Sequence, residues 1–546
     1  MRTTVINLLI FGIWLSLHTQ AFGQVGNISD GVRVAWDYSS LQQLAERGGY
    51  PRLTRLKDST LVVVYETRTG NVHLKRSIDN GLTWSDPEEV FSKFVYAALD
   101  GKSTIVNIAN PEIKQLKNGD IVIACNYRPA RAEIAPYSIV IRRSTDNGKT
   151  WQVPQNLYTA APRFGDGCWE PSFLQLPNGE LQVYFANESP YRKSDEQEIS
   201  MLSSQDGGIT WTTKPKTVSF RKDRRDGMPV AQLIGNKIVL IIEDNNIDKF
   251  KPYTVRTSIE DNWSEPVLAN SSNREYSLVE YISDTVYMGA PYLLKLPNGE
   301  TLISYQTNEN RSNNWELSTM EVAIGNKDAR KFNRRTQPFN VPLNKEAKWN
   351  SIALWDNHTV VALASSNFDS KEIAPWLVKG HIIPALDLKQ EKVRNYPIFI
   401  GSLGKTNLKG GIGADDEHIY IECVVSENLK KPFELDSSGV FLFLKLNEQI
   451  YKIWSSKTGD KQVWSKKGNA WKALSGVNEI AVSASNTNDF YKIKFIVSKD
   501  VVNRKLLKDM SLGLALSAYD SSDKRYTEYL TNMEIDVPET WLKVEL

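Results

Sequence analysis

Cysteine is scarce in this chain: Cys125, Cys168 and Cys423 are the only three in 546 residues, and the count is odd. No framework of disulfides can hold such a protein together, so large apolar cores must do so. Histidine is nearly as rare, five in all, and no Cys/His group stands at zinc-binding spacing, so no metal site is expected. An excess of either charge is missing too. The 66 Lys and Arg offset 64 Asp and Glu to leave +2, with no basic tail or block, which excludes the electrostatic footprint of a nucleic-acid or anionic-membrane binder. Beyond the first two dozen residues no run of about 18 apolar residues occurs, so no membrane-spanning segment is expected.

What is present begins with an export signal. Arg2 supplies a positive start, Val5 to Leu17 an apolar stretch too short to span a bilayer, and Ala21-Phe22-Gly23 a small-x-small cleavage site. Residues 1–23 therefore read as a signal peptide cut near Gly23-Gln24, for a periplasmic, cell-surface or secreted protein. The remaining length exceeds one ordinary core, and a monomer with more than one domain is expected. Aromatics are plentiful, with 22 Tyr, 18 Phe and 15 Trp.

The governing feature is a repeat. Six segments share an apolar strand, a turn of Leu-Pro-Asn-Gly type and a second apolar strand: they start at Tyr50, Asn110, Glu170, Met228, Ala290 and Trp349. The starts are about 60, 60, 58, 62 and 59 residues apart. Proline follows in five of them (Pro51, Pro111, Pro171, Pro229, Pro291) and Asn350 in the sixth. Turns of this kind between alternating apolar runs are hairpin signals, and six such units close a ring without free edges. The expectation is an all-β protein whose residues 24–388 form a six-bladed β-propeller. SIDNGLTW from Ser77, STDNGKTW from Ser144 and SQDGGITW from Ser204 recur in phase with the repeat, and SIEDNWSEP from Ser258 is a degenerate copy. Asp accepting backbone N–H groups, Gly at positive φ and a packing Trp make each a structural staple. From Lys389 the pattern gives way to short alternating strands, so residues 389–546 are expected to form a C-terminal β-sandwich, carbohydrate-binding-like, with Trp454, Trp464 and Trp471 as candidates for stacking on sugar or for plain packing.

Equivalent residues of a ring of repeats face one channel. The residue before the proline is Tyr50, Asn110, Glu170, Met228, Ala290 or Trp349, so Glu170 is the one acid at that level. The end of the second strand is Glu66, Asn126, Ala186, Glu243, Gln306 or Ser365, a polar set with two acids. An ionised acid beside apolar strands is costly unless paired, so these glutamates either pair locally or work chemically. Two carboxyls facing one pocket meet the needs of glycoside hydrolysis, a proton donor and a nucleophile or base.

These motifs resemble a known group. The Ser-x-Asp-x-Gly-x-Thr-Trp turns match the Asp-box (BNR) pattern of the sialidase superfamily. GGYPRLTRL from Gly48, DGCWEPSFLQLPNGELQVYFANE from Asp166, DGMPVAQL from Asp226 and GAPYLLKLPNGETLISYQ from Gly289 are similar to glycoside hydrolase family 93, over about Val34 to Pro384. That resemblance implies a six-bladed exo-α-1,5-L-arabinanase releasing arabinobiose with retention, with an oligosaccharide or polysaccharide substrate and no cofactor. It implies Glu170 as acid/base and Glu243 as nucleophile. Arg52, Asn110, Asn126, Arg128, Trp169, Asp226 and Tyr292 are candidates for gripping sugar hydroxyls or orienting the acids. A sialidase-type hydrolase of an acidic terminal sugar is the rival. Against it, Tyr-Pro-Arg-Leu replaces the sialidase Phe-Arg-Ile-Pro, while Arg128, Arg163, Arg224 and Arg225 remain available for a carboxylate. A non-catalytic glycan-binding propeller is the third reading.

Overall fold

Each sequence repeat builds one antiparallel sheet in the computed structural model. It describes residues 32–546 except 247, 370, 390–391, 403–405, 427–437, 488–489, 502–506, 508 and 520–524; the expected signal peptide lies outside the described residues. The first strands of the six sheets are Gly49–Arg55, Ser103–Gln115, Cys168–Gln175, Asp226–Ile234, Met288–Lys295 and Ala347–Leu354. They touch in sequence order and the sixth returns to the first, so the six sheets close a ring. The closing sheet takes its outermost strand from the other end of this unit: Arg33–Gln43 pairs with Ala374–Ile383, Arg33 opposite Ile383. Apolar clusters bury the strands between neighbouring sheets, as where Val62 and Val64 meet Ile121 and Ile123.

Every inner strand breaks register at the same place. The slip falls between Gly49 and Arg52, Ala109 and Glu112, Trp169 and Ser172, Gly227 and Val230, Gly289 and Tyr292, and Lys348 and Ser351. Within each slip the residue before the proline has φ between +47° and +52°: Tyr50, Asn110, Glu170, Met228, Ala290 and Trp349. Non-glycine residues occupy this region at a cost on the order of 1–3 kcal/mol. A β-bulge tolerates proline because no ladder hydrogen bond is asked of it there. In the sixth sheet Asn350 stands in its place and bridges to the fifth, its Nδ2 donating to Ala290 O at 3.2 Å and its Oδ1 accepting from Ser304 Oγ at 2.5 Å.

The Ser-x-Asp turns follow the third strands, at the end of the ring opposite these bulges. In each, Ser Oγ donates to Asp (2.7, 2.7 and 2.8 Å) and the Gly N–H four residues on donates to that Ser (2.7, 2.7 and 2.8 Å). Side-chain and backbone hydrogen bonds from Thr83 and Thr150 hold Asp79 and Asp146 down to about 2. Trp84, Trp151 and Trp211 pack into three different inter-sheet clusters. The degenerate fourth turn buries Trp263, whose Nε1 donates to Tyr184 Oη of the preceding sheet at 2.9 Å.

The C-terminal residues form two further sheets, of eight and five strands, sharing one apolar core. The larger sheet begins earlier than Lys389: Leu386–Asp387 pairs in parallel with Leu542–Glu545. Ala35 and Ile383 from the ring unit sit in this second core. Arg33 adds hydrogen bonds to Thr531 O (2.8 Å) and Thr540 O (2.7 Å).

Candidate active site

The polar ring at the second-strand ends has a structural use. Each of four such side chains accepts the N–H of the positive-φ residue in the next sheet: Glu66 from Asn110 (3.0 Å), Glu243 from Ala290 (2.8 Å), Gln306 from Trp349 (2.7 Å) and Ser365 from Tyr50 (2.8 Å). Asn126 instead donates to Cys168 O at 2.8 Å, and Ala186 offers nothing. The bulge turns each N–H out of its own sheet, and the neighbouring side chain satisfies it. Glu66 therefore serves as an inter-sheet latch.

Glu243 does this and more, because it shares a space with Glu170. Burial, then the charge of Glu243, pushes the Glu170 carboxyl up to about 8, against the pull of Arg128. Burial pushes Glu243 up to about 7, while the Ala290 N–H and Arg225 favour its charged form. The two environments differ in kind. Glu243 has a fixed donor on Oε2; Glu170 receives no hydrogen bond among the described residues. The hydrogen-bonded acid ionises first, and its charge keeps the proton on the other.

Two glycines make room for Glu243. A Cβ on Gly227 would lie 3.0 Å from Glu243 Oε1 and 2.7 Å from Gln197 Nε2; one on Gly289 would lie 2.7 Å from Glu243 Oε2 and 2.2 Å from Tyr287 Oη. Tyr287 Oη, held by Gln306 Nε2 at 2.9 Å, thus borders the carboxylate, and burial and the charge of Glu243 lift its own titration well above normal. Arg225 is fixed by ion pairs to Glu188 and Asp195 and a 2.7 Å hydrogen bond to Gln197 Oε1. Sequence reasoning missed Tyr287 and Gln197 and listed Arg225 only as a carboxylate clamp. The signal existed: Arg225 and Tyr287 stand three residues before Met228 and Ala290, one more ring of the repeat alignment.

The remaining candidates divide. Arg128 is half-buried, lies over Trp169 (5.1 Å to the ring centroid) and makes no ion pair or hydrogen bond of its own among the described residues. Asn110 and Asn126 are buried in the two rings, each with an unpartnered Oδ1. Trp169 is buried against Tyr137 at 4.7 Å and supports the site from behind. Three further candidates are already engaged within the protein. Asp226 is fully buried, bonded by Arg274 (2.9 and 2.6 Å) and Ser219 (2.8 Å), so no acceptor remains for a sugar. Arg52 and Tyr292 lie one level deeper, two residues past the bulges: Arg52 pairs with buried Glu112 at 3.2 Å and Tyr292 Oη reaches Glu112 at 3.3 Å. Glu112 and Tyr292 face a cavity of about 590 Å³ on the turn side. This cluster is set beneath a floor of Tyr50, Met228 and Ala290, against which Trp349 packs. Trp464 and Trp471 of the second unit share the Lys452 ammonium, at 4.5 and 5.0 Å from their rings. Among the described residues no group of three His, Cys, Asp or Glu is placed to hold a metal ion, and no helix is long and apolar enough to cross a membrane.

Comparison with known proteins agrees with the sequence motifs. Over 142 residues, 23% of this chain, it is 30% identical to a sialidase of Micromonospora viridifaciens. The chain resembles the sialidase superfamily. The match spans 22% of that sialidase's length. No family model matches. Solved structures with similarity include an α-L-arabinofuranosidase of Fusarium graminearum, in complex with an iminosugar inhibitor (15% identity, 66% of this chain and 98% of that one, TM-score 0.44). Another is a Penicillium chrysogenum α-L-arabinanase complexed with arabinobiose (16%, 65% and 97%, TM-score 0.43).

Proposed function

We propose that this protein is an exo-acting retaining glycoside hydrolase built on a six-bladed sialidase-like propeller, with a C-terminal sandwich, and that it cleaves α-1,5-linked arabinan or related oligosaccharides. The observation that carries the chemistry is the Glu170–Glu243 pair, two carboxyls in one another's field with opposite hydrogen-bonding environments. Glu170, protonated at neutral pH, gives its proton to the leaving oxygen as the glycosidic bond breaks; ionised Glu243 attacks the anomeric carbon. Water then adds to that carbon, Glu170 takes the water's proton, and the bond to Glu243 opens. Positive charge developing on the sugar is met by Glu243, and Tyr287 and Arg225 flank that carboxylate. No metal or organic cofactor enters these steps.

A neutral sugar is favoured by the state of the arginines. A clamp for an acidic sugar needs several guanidinium groups free to converge on one carboxylate. Arg225 is occupied, Arg163 pairs with Asp166 at 2.9 Å, Arg224 binds Asn246 O at 2.8 Å, and Arg52 is below the floor. Of these candidates Arg128 makes no ion pair or hydrogen bond among the described residues, and it keeps the acidic-sugar reading as the second one. Incubation with linear arabinan, sialyllactose and pectic oligosaccharides decides between them. Arabinobiose from arabinan is expected; free sialic acid replaces this reading by the second, and no product from any glycan replaces both by a glycan binder. Export belongs to the same proposal: protein recovered from cell fractions should begin near Gln24.

A further inference from the structure

We infer that Phe164 and Trp315 are the stacking surfaces of two sugar subsites on either side of the acid pair, so that the mouth accepts a chain of sugars rather than one. Both rings are large, apolar and open to solvent, 66% and 41% exposed. Each is also packed from behind against other aromatic rings. Phe164 sits in the short turn Phe164–Asp166, two residues before the strand that carries Glu170. Its ring packs 5.4 Å from Trp169 and 6.3 Å from Tyr137, and Arg163 ties the turn by its hydrogen bond to Asp166 at 2.9 Å. Trp315 sits in the turn Trp315–Leu317, whose first N–H groups are capped by Asn314 Oδ1 accepting from Glu316 N at 3.1 Å. Its ring lies 5.6 Å from Tyr287 and 6.5 Å from Trp349, and the Lys348 ammonium is 4.8 Å from its centroid. Lys348 is itself fixed by Glu316 and Glu346.

Topology puts both turns at the bulge end. The Phe164 turn leads into an inner strand, and the Trp315 turn joins Thr301–Thr307 to Thr319–Gly325. One ring adjoins Glu170 through Trp169; the other adjoins Glu243 through Tyr287. A pyranose or furanose presents an apolar C–H face that packs on an aromatic face, and a ring locked before binding loses little entropy when the sugar arrives. Arg128, half-buried over the Trp169 ring that backs one platform, is placed to donate to a hydroxyl at the sugar's edge.

The identity of the sugar rests on the proposed function; the two-platform geometry is tested by binding. Titration calorimetry of the full chain carrying Glu170→Gln, with arabinose and linear α-1,5-arabino-oligosaccharides of two to five units, should show affinity rising with length. Adding Phe164→Ala or Trp315→Ala should weaken binding of the longest ligand roughly tenfold each and leave that of arabinose within about twofold. Trp315→Phe should recover most of the loss, which a merely structural defect would not. Length-independent affinity, unchanged binding by either alanine variant, or binding of no oligosaccharide would overturn the inference. Failure of the hydrolase reading shows itself separately, as a wild-type chain that binds these ligands and releases no sugar.

Discussion

At the level of single residues the acid pair makes a prediction about pH. On the proposed mechanism Glu243 must be ionised and Glu170 protonated, so kcat/KM should rise as pH passes about 7 and fall as it passes about 8, a narrow bell above the usual carboxylate range. The same shift works against stability. Folded Glu170 keeps its proton to about 8, while the unfolded chain releases it near 4.5, so stability falls as pH rises between those values. Glu170→Gln should therefore melt higher than wild type at pH 8, the difference closing by pH 4 and activity being lost at both. The latch ring separates structure from chemistry further. Gln306 shows that an amide serves as well as a carboxylate. Glu66→Gln should leave activity and melting temperature near wild type, whereas Glu66→Ala, which strands the Asn110 N–H, should lose about 1–3 kcal/mol in denaturant unfolding. Glu243→Gln should keep the latch and the fold yet abolish turnover.

Sheets and turns explain which parts of this site were legible in sequence. The repeat alignment located both rings because the bulge recurs at the same step of every inner strand, and a proline marks it in five of six. It also placed the staples, since their Ser, Asp and Gly act within one turn. What it did not disclose is what lies across strands. Asp226 looked like an acid at the mouth until Arg274, 48 residues later, was seen to occupy both its oxygens. Arg52 lies past the slip in its strand, and a slip of one residue changes which side chains face the channel. Size complementarity across the first two strands was equally hidden: Gly49 and Gly227 stand opposite Glu66 and Glu243, and bulky Trp169 opposite Ala186. Gly289→Ala should thus displace Tyr287 and Glu243 together. A drop in kcat of roughly a hundredfold is expected, with the circular dichroism spectrum unchanged; full activity in that variant would mean the carboxylate has slack that the geometry denies it.

Across the whole molecule the two units share a strand. Arg33–Gln43 closes the ring through Ala374–Ile383 and at the same time lends Ala35 to the C-terminal core. A chain ending at residue 388 would bare Ala35 and Ile383 and leave Arg33 without the Thr531 and Thr540 carbonyls. It should melt several degrees lower than the full chain and give less soluble protein. Equal melting temperatures would show the C-terminal unit to be energetically independent.

The six left-handed positions bear on how such a site comes to change. Tyr, Asn, Glu, Met, Ala and Trp all adopt the same backbone there, with a latch at only four of the six, so the conformation is imposed by the strand slip and not by the side chain. Identity and scaffold are uncoupled at those six points. New specificities can then arise by exchanging one occupant at a time, with no re-threading of strands and with each trial facing the same chamber. This makes the floor of the mouth a natural starting place for altering what the protein cleaves.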